Sequence, residues 1–411
     1  MNGLDILEHG GNEFRRLVNN AKWTLASLNW APRFDESNIV ELERHILTDE
    51  TFVLLNGTAT LLVGEKAERV EMAPLKYYNV RAGIWHHIVV SKDARVLVAE
   101  NANTSKDNTE YLSLETGKVF RKLPPFEEVL PGIFLLKVPF GPVWTGIILV
   151  KGEKNILIDS SHLEPEKYLI PALEGLQMKP GDIDWLLNTH VHGDHIGGHH
   201  TLVTKYGLRT ATLKSAADAL RDPVKVAIRV RTRFPKNSPA PQSYLKGVEP
   251  DKVLEEGEML EGRFYALATP GHDDDCLTWV DRKTGTAFTG DSLQANGTPT
   301  QGIGFYRDLN AYRQSLAKLQ GAGLQNIVCA HDYDGIGYVV KGAGAVAEAL
   351  RYSAERVQLY DRKIREYVSA GVPVEDEPVS LALKLIGEAG CGMPDSLFLA
   401  LHTVSEHLKK Q

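Results

Sequence analysis

The sequence predicts an α+β protein in three parts. A small β-barrel or sandwich covers residues 1–110, a domain of strands and helices covers 111–340, and a helical extension covers 341–411. Three observations predict this. Short strand-like runs broken by turns crowd residues 38–100, as in all-β domains. From Phe134 such runs alternate with helical patterns, the signature of mixed sheet-and-helix folds. Beyond residue 341 apolar positions recur every three to four residues, the helical period.

Taken in order, residues 1–35 predict one amphipathic helix around Glu13–Leu28. Strands follow at Ile39–Ile46, Thr51–Leu55, Thr58–Val63, Lys76–Val80 and Val96–Ala99, rich in the branched residues that suit a pleated surface. The polar stretch Asn101–Asp107 reads as the exit linker. Gly146–Val150 and Asn155–Asp159 form an apolar hairpin ending in an acid. Ile183–Asn188, Tyr265–Ala268, Thr286–Thr289 and Asn326–Ala330 are short apolar strands. Helices are expected at Val346–Tyr367 and Leu397–Leu408.

Composition narrows the function. A net charge of −7 argues against a general nucleic-acid binder. No apolar stretch approaches the length of a membrane span. The first residues lack the basic and apolar regions of a signal peptide. Three cysteines, Cys276, Cys329 and Cys391, make no disulfide framework. The expectation is a cytoplasmic protein.

The chemistry starts at Thr189-His190-Val191-His192-Gly193-Asp194-His195, directly after an apolar strand. Three imidazoles and a carboxylate within six residues pack a core poorly and hold metal well. Each later strand also ends at a donor: His272 after Tyr265–Ala268, Asp291 after Thr286–Thr289, His331 after Asn326–Ala330. Strand ends that converge on one sheet edge are where such folds keep their sites. Seven donors result: His190, His192, Asp194, His195, His272, Asp291 and His331. Seven suffice for two ions with three terminal ligands each and one bridging carboxylate.

The order HxHxDH, TPGH, GD and AH over roughly residues 125–340 resembles the metallo-β-lactamase superfamily. The resemblance implies an αββα sandwich. It implies one metal on His190, His192 and His272, a second on Asp194, His195 and His331, and Asp291 as the bridge. Asp159 would orient a ligand histidine through its other ring nitrogen. Asp291 stands where a β-lactamase proper would carry cysteine, which favours the broader dinuclear hydrolases.

A second resemblance lies in Glu43-Arg44-His45, Asp49-Glu50, Gly57 and Gly83-Ile84-Trp85-His86, which is similar to the cupin superfamily. It implies a cupin-like β-barrel at the N-terminus, with Glu43, His45, Glu50 and His86 as ligands of an additional metal. Glu43 replaces the usual first histidine, and the second motif lacks its proline. A barrel without metal, kept for ligand binding or pairing of two chains, is the alternative.

The functional expectation is a hydrolase of a small ester, lactone or thioester that uses two divalent ions. Zinc is the first expectation, and manganese or iron would fit the same ligands. A hydroxide bridging the ions is the nucleophile, Asp291 sets their spacing, and Asp194 also shuttles a proton to the leaving group. The rival readings are a mononuclear iron persulfide dioxygenase and a phosphodiesterase of the same fold. Tyr306 and Tyr333 are candidate oxyanion donors, with a packed aromatic the plainer role for each. Residues 221–246 carry seven cations against one acid, Asp222. They form either a lid attracting an anionic substrate or a solvated surface. The loop Gly297–Gly302 would line the cleft. A small-molecule substrate, no membrane partner and a homodimer complete the expectations.

Overall fold

Burial alternates along Trp23–Asn29, with Thr24, Ala26 and Leu28 inward, so this segment is a strand. The computed structural model describes residues 6–409 except 20–21, 105–107, 142, 163, 299–300 and 389–396. In it Phe14–Asn19 pairs antiparallel with Trp23–Asn29, which pairs in turn with Arg95–Asn101. The helix expected around Glu13–Leu28 is therefore two strands. Short apolar runs satisfy both periods, and here the sheet ladder decides.

The chain divides into two compact units, Met1–Leu123 and Pro124–Gln411. The first holds two sheets. One has the order Phe14–Asn19, Trp23–Asn29, Arg95–Asn101, Glu50–Asn56, Tyr77–Val80. The other runs Val119–Phe120, Thr109–Ser113, Glu41–His45, His86–Val90, Ala59–Val63, Glu68–Glu71. Phe34, Phe52, Leu54, Leu61, Val96 and Val98 form part of the core of this unit. Among the described residues no ladder joins the sheets, so this is a two-sheet β domain and not the expected closed barrel. Closure needs a shared stagger around every strand. Here the edge strand Glu68–Glu71 is exposed throughout and carries charge, which blunts it against further pairing. Thr109–Ser113 pairs with Glu41–His45, so the unit runs past the expected boundary at 110/111. Asn101–Asp107 accordingly connects strands within this unit, and residues 105–107 of it lie outside the described ones.

The second unit holds a seven-stranded and a five-stranded sheet. The first runs Phe126–Leu130, Ile133–Phe140, Val143–Val150, Ile156–Ile158, Trp185–Leu187, Thr210–Leu213, Lys252–Leu254. The second runs Phe264–Ala268, Leu277–Asp281, Thr286–Gly290, Asn326–Tyr333, Gly337–Lys341. Leu135, Ile148, Leu187, Trp279, Phe288 and Val328 meet between them in one core. Helices Leu169–Gly175 and Lys214–Arg221 pack on the first sheet. Leu309–Gly321, Ala343–Ser369, Val379–Glu388 and Leu397–Leu408 share a core with the second. The layers are helix, sheet, sheet, helix. Residues beyond 341 thus complete this unit and contribute Leu350, Val357 and Leu401 to its core. Among the described residues no helix is long and apolar enough to cross a membrane.

One buried pair makes stability depend on pH. Arg263 donates to both oxygens of buried Asp281, at 2.8 and 2.6 Å, and the Lys283 N–H and Thr284 hydroxyl add 3.0 and 2.9 Å bonds. Burial raises the Asp281 carboxyl, but these donors outweigh it and hold the group below the ordinary range. A depressed folded value stabilises above the unfolded one, near pH ~4, and that gain is lost as pH falls through the folded value. Asp281→Asn is expected to cost about 2 kcal/mol at neutral pH. The gap between wild type and variant in urea melts should close below pH ~4. A gap independent of pH would contradict this account.

Candidate metal centre

The four donor-bearing strand ends meet on one edge of the second unit, and the sheet ladders slip there. The pairing between Thr286–Gly290 and Asn326–Tyr333 shifts between Phe288 and Gly290, next to Asp291. The pairing of Asn326–Tyr333 with Gly337–Lys341 shifts between Val328 and Tyr333, around His331. Such irregularities re-aim side chains. Gly290 has φ +49°, and a Cβ there would lie 2.3 Å from the Thr189 hydroxyl, so only glycine lets these strand ends touch.

All seven predicted donors gather here. Donor atoms of His190, His192 and His272 lie within 4.8 Å of one another, as do those of Asp194, His195 and His331. Asp291 spans both groups. Its Oδ2 is 3.4 Å from His272 Nε2, and its Oδ1 is 3.5 Å from both His195 Nε2 and His331 Nε2.

The far nitrogens of the rings are tied down. His195 Nδ1–H donates to Asp159 at 2.8 Å, the contact expected of Asp159. His272 Nδ1–H donates to the Phe305 carbonyl at 3.0 Å, and His331 Nδ1–H to the Trp144 carbonyl at 2.7 Å. His192 Nε2–H donates to Asp273 at 3.1 Å. The inner nitrogens are then bare lone pairs. His192 Nδ1 and His272 Nε2 face each other at 3.1 Å. His190 Nε2 and His195 Nε2 are buried without a hydrogen-bond partner. Such a set repels itself unless a cation lies among it, and the donors suit a divalent ion.

Electrostatics separate the imidazoles into two kinds. Burial and the neighbouring imidazoles keep His190 neutral. Burial likewise takes His272 down to about 4, against the pull of Asp291. Burial would raise Asp194 and Asp291, yet the imidazoles around them outweigh it and keep both ionised. Burial would lower His195 and His331, but the facing carboxylates raise both.

Asp159 sits at φ +60°, a strained conformation that aspartate tolerates. It also accepts from the Thr189 N–H and hydroxyl, each at 2.7 Å, which fixes the turn into His190. Sequence reasoning missed Asp273, whose other oxygen takes Arg229 and Arg307. The run Asp273-Asp274-Asp275 directly after His272 was the available signal.

Two candidate phenols are committed elsewhere. Tyr306 is buried with its hydroxyl on His407 Nε2 at 2.5 Å, so it is no oxyanion donor. The Tyr333 hydroxyl donates to Asp291 Oδ1 at 2.9 Å and holds that carboxylate in place. Cys276 and Cys329 are buried and free, and Cys391 lies outside the described residues. Four of the seven cations of the predicted lid are paired with acids, most of them from outside the segment. Arg221 pairs with Glu249, Lys225 with Asp222, Arg229 with Asp274 and Arg233 with Glu406. Thr298 and Gln301 of the loop 297–302 line the cleft, and residues 299–300 lie outside the described ones.

In the first unit, donors of Glu43, His45 and His86 also lie within 4.8 Å of one another, as do those of His45, Glu50 and Glu100. Glu50 is hydrogen-bonded to His45 at 3.1 Å and His86 at 2.9 Å. Burial would raise its carboxyl, but the two imidazoles bring it down to about 2. Glu100, absent from the predicted set, is held by Arg16 at 2.9 Å.

Residues 138–331 match the family model described as Metallo-beta-lactamase superfamily. A probable metallo-hydrolase of Burkholderia pseudomallei is 28% identical over 183 residues, covering 41% of this chain and 58% of that protein. A hydroxyacylglutathione hydrolase of Acidiphilium cryptum is 29% identical over 165 residues, covering 39% and 56%. The chain thus spans less than two thirds of either relative. A metallo-beta-lactamase family protein of Thermus thermophilus superposes with a TM-score of 0.53 at 20% identity, covering 69% of this chain and 94% of that one. That likeness concerns the fold.

Proposed function

We propose that residues 138–331, a metallo-β-lactamase superfamily domain, make this protein a metal-dependent hydrolase of a small ester, lactone or thioester. The reading rests on one observation: Asp291 turns each carboxylate oxygen toward a different group of bare imidazole nitrogens. His190, His192 and His272 would hold one divalent ion, Asp194, His195 and His331 a second, with Asp291 shared. Two such ions would lower the pKa of a bound water toward neutral and polarise the scissile oxygen. Zinc suits this set of nitrogen and carboxylate donors.

The chain's own residues do the rest. Asp159 and Asp273 fix His195 and His192 through their outer nitrogens. Tyr333 fixes Asp291. Asp194, ionised and partly exposed to the cleft, would take the proton that the attacking water loses and hand it to the leaving group. The cleft of about 600 Å³ between these donors and Val230, Phe305 and Phe398 admits a small substrate with an apolar part. The likeness to a probable metallo-hydrolase supports the class, and that to a hydroxyacylglutathione hydrolase favours a thioester.

We further propose a separate ion in the first unit, on Glu43, His45, Glu50 and His86, with Glu100 within reach. Metal analysis of protein purified without chelators tests both sites. Two divalent ions should persist in Glu50→Gln protein, while a third is lost. The metal-loaded protein should hydrolyse at least one member of an ester, lactone and thioester panel, and chelation should abolish it. One iron per chain with no hydrolysis would overturn the reading and point to sulfur oxidation.

A further inference from the structure

The helix Pro223–Thr232 brings one cation to the cleft that forms no ion pair among the described residues. Arg221, Lys225, Arg229 and Arg233 each have an acidic partner at 3.3 Å or less. Lys236 and Lys246 point into solvent. Arg231 differs from all of these. It is half-buried, lines the cleft together with Asp194, His272 and His331, and stacks its guanidinium on Phe398 at 4.4 Å. Among the described residues no carboxylate lies within ion-pair distance of it.

A partly desolvated charge without a partner is costly to keep unless a ligand supplies the partner. Stacking on Phe398 fixes the plane of the guanidinium and leaves its N–H edge for an oxyanion. Val230 and Phe305 continue the apolar wall beside it. Burial depresses the guanidinium's pKa, with Asp194 opposing, and an arginine at this depth still keeps its proton.

We propose that Arg231 is the specificity residue of this cleft, binding the anionic group of an acyl substrate whose apolar part lies on Phe398 and Phe305. The inference rests on the hydrolase reading above and adds the charge of the substrate to it. No covalent step is involved. The residue selects and orients.

The test compares wild type with Arg231→Met, which keeps the bulk over Phe398 and removes the charge. Metal-loaded proteins are given the phenylacetyl thioesters of mercaptopropionate and mercaptoethanol, which end in a carboxylate and in a neutral hydroxyl. The preference of wild type for the anionic thioester in KM should fall roughly tenfold to hundredfold in the variant. Arg231→Lys should recover part of it. An unaltered preference overturns the proposal. Calorimetry with phenylpropanesulfonate and its neutral counterpart phenylpropanol reads the same contrast without turnover. If metal-loaded wild type hydrolyses no member of the ester, lactone and thioester panel but sulfonate binding is lost selectively on substitution, the anion site stands and the hydrolase reading falls. If sulfonate binds both proteins alike, the inference falls whatever the activity.

Discussion

Asp291→Ala protein is expected to carry at least one divalent ion fewer per chain than wild type and to lose more than ~100-fold of any hydrolytic activity, since outer-shell losses alone cost about 10–100-fold. Asp291 faces His272 with one oxygen and His195 and His331 with the other. Its loss removes a donor from both groups at once. It also strands the Tyr333 hydroxyl, which now donates to Asp291 at 2.9 Å, in a buried place. Asp291→Glu should restore some metal but not the spacing, because the longer stem moves both oxygens. Elemental analysis of the two variants beside wild type decides the matter. Unchanged stoichiometry in Asp291→Ala would remove the shared carboxylate from the scheme.

The second large effect concerns backbone. Gly271 precedes His272 and has φ +137°, a region that residues with a Cβ rarely enter. A Cβ there would lie 2.5 Å from Tyr312 Cα and 2.6 Å from Tyr312 N, which are backbone atoms of the helix Leu309–Gly321. The Gly271 carbonyl also takes the Arg307 and Asp308 N–H groups at 2.8 and 3.1 Å, seating that helix. Gly271→Ala combines strain with overpacking and should cost about 4 kcal/mol. Thermal melting should fall by roughly 10 °C. His272 should shift with it, so metal affinity falls too. Gly344→Ala is the matched control. Nothing lies within 4 Å of its Cβ position in the helix Ala343–Ser369. That change should be neutral or stabilise by about 0.5–1 kcal/mol. Equal melting of Gly271→Ala and wild type would refute the packing argument.

The candidate donors were legible because their chemistry is local. His190, His192, Asp194 and His195 fall within six residues after a buried strand. His272, Asp291 and His331 each sit at or near a strand end that periodicity exposes. The N-terminal strands were harder. Glu13–Leu28 has apolar positions that fit a helix, and only the ladder from Trp23–Asn29 to Arg95–Asn101, far along the chain, makes it sheet. Thr109–Ser113 looked like the far side of a linker until its pairing with Glu41–His45 drew it into the first unit.

Residue type and spacing by themselves pointed to the α+β class, the strands and helices of the second unit, and the seven candidate donors. These follow from side-chain periodicity and from the affinity of imidazole and carboxylate for divalent ions. Tertiary structure alone decided which partner each side chain meets. It gave Tyr306 to His407 and Tyr333 to Asp291. It neutralised Arg221, Lys225, Arg229 and Arg233 with carboxylates and left Arg231 facing the cleft. A run of like charges reads the same in sequence whether or not acids lie across from it. Only the packed chain sets those distances, and Coulomb energy and desolvation depend on distance and burial.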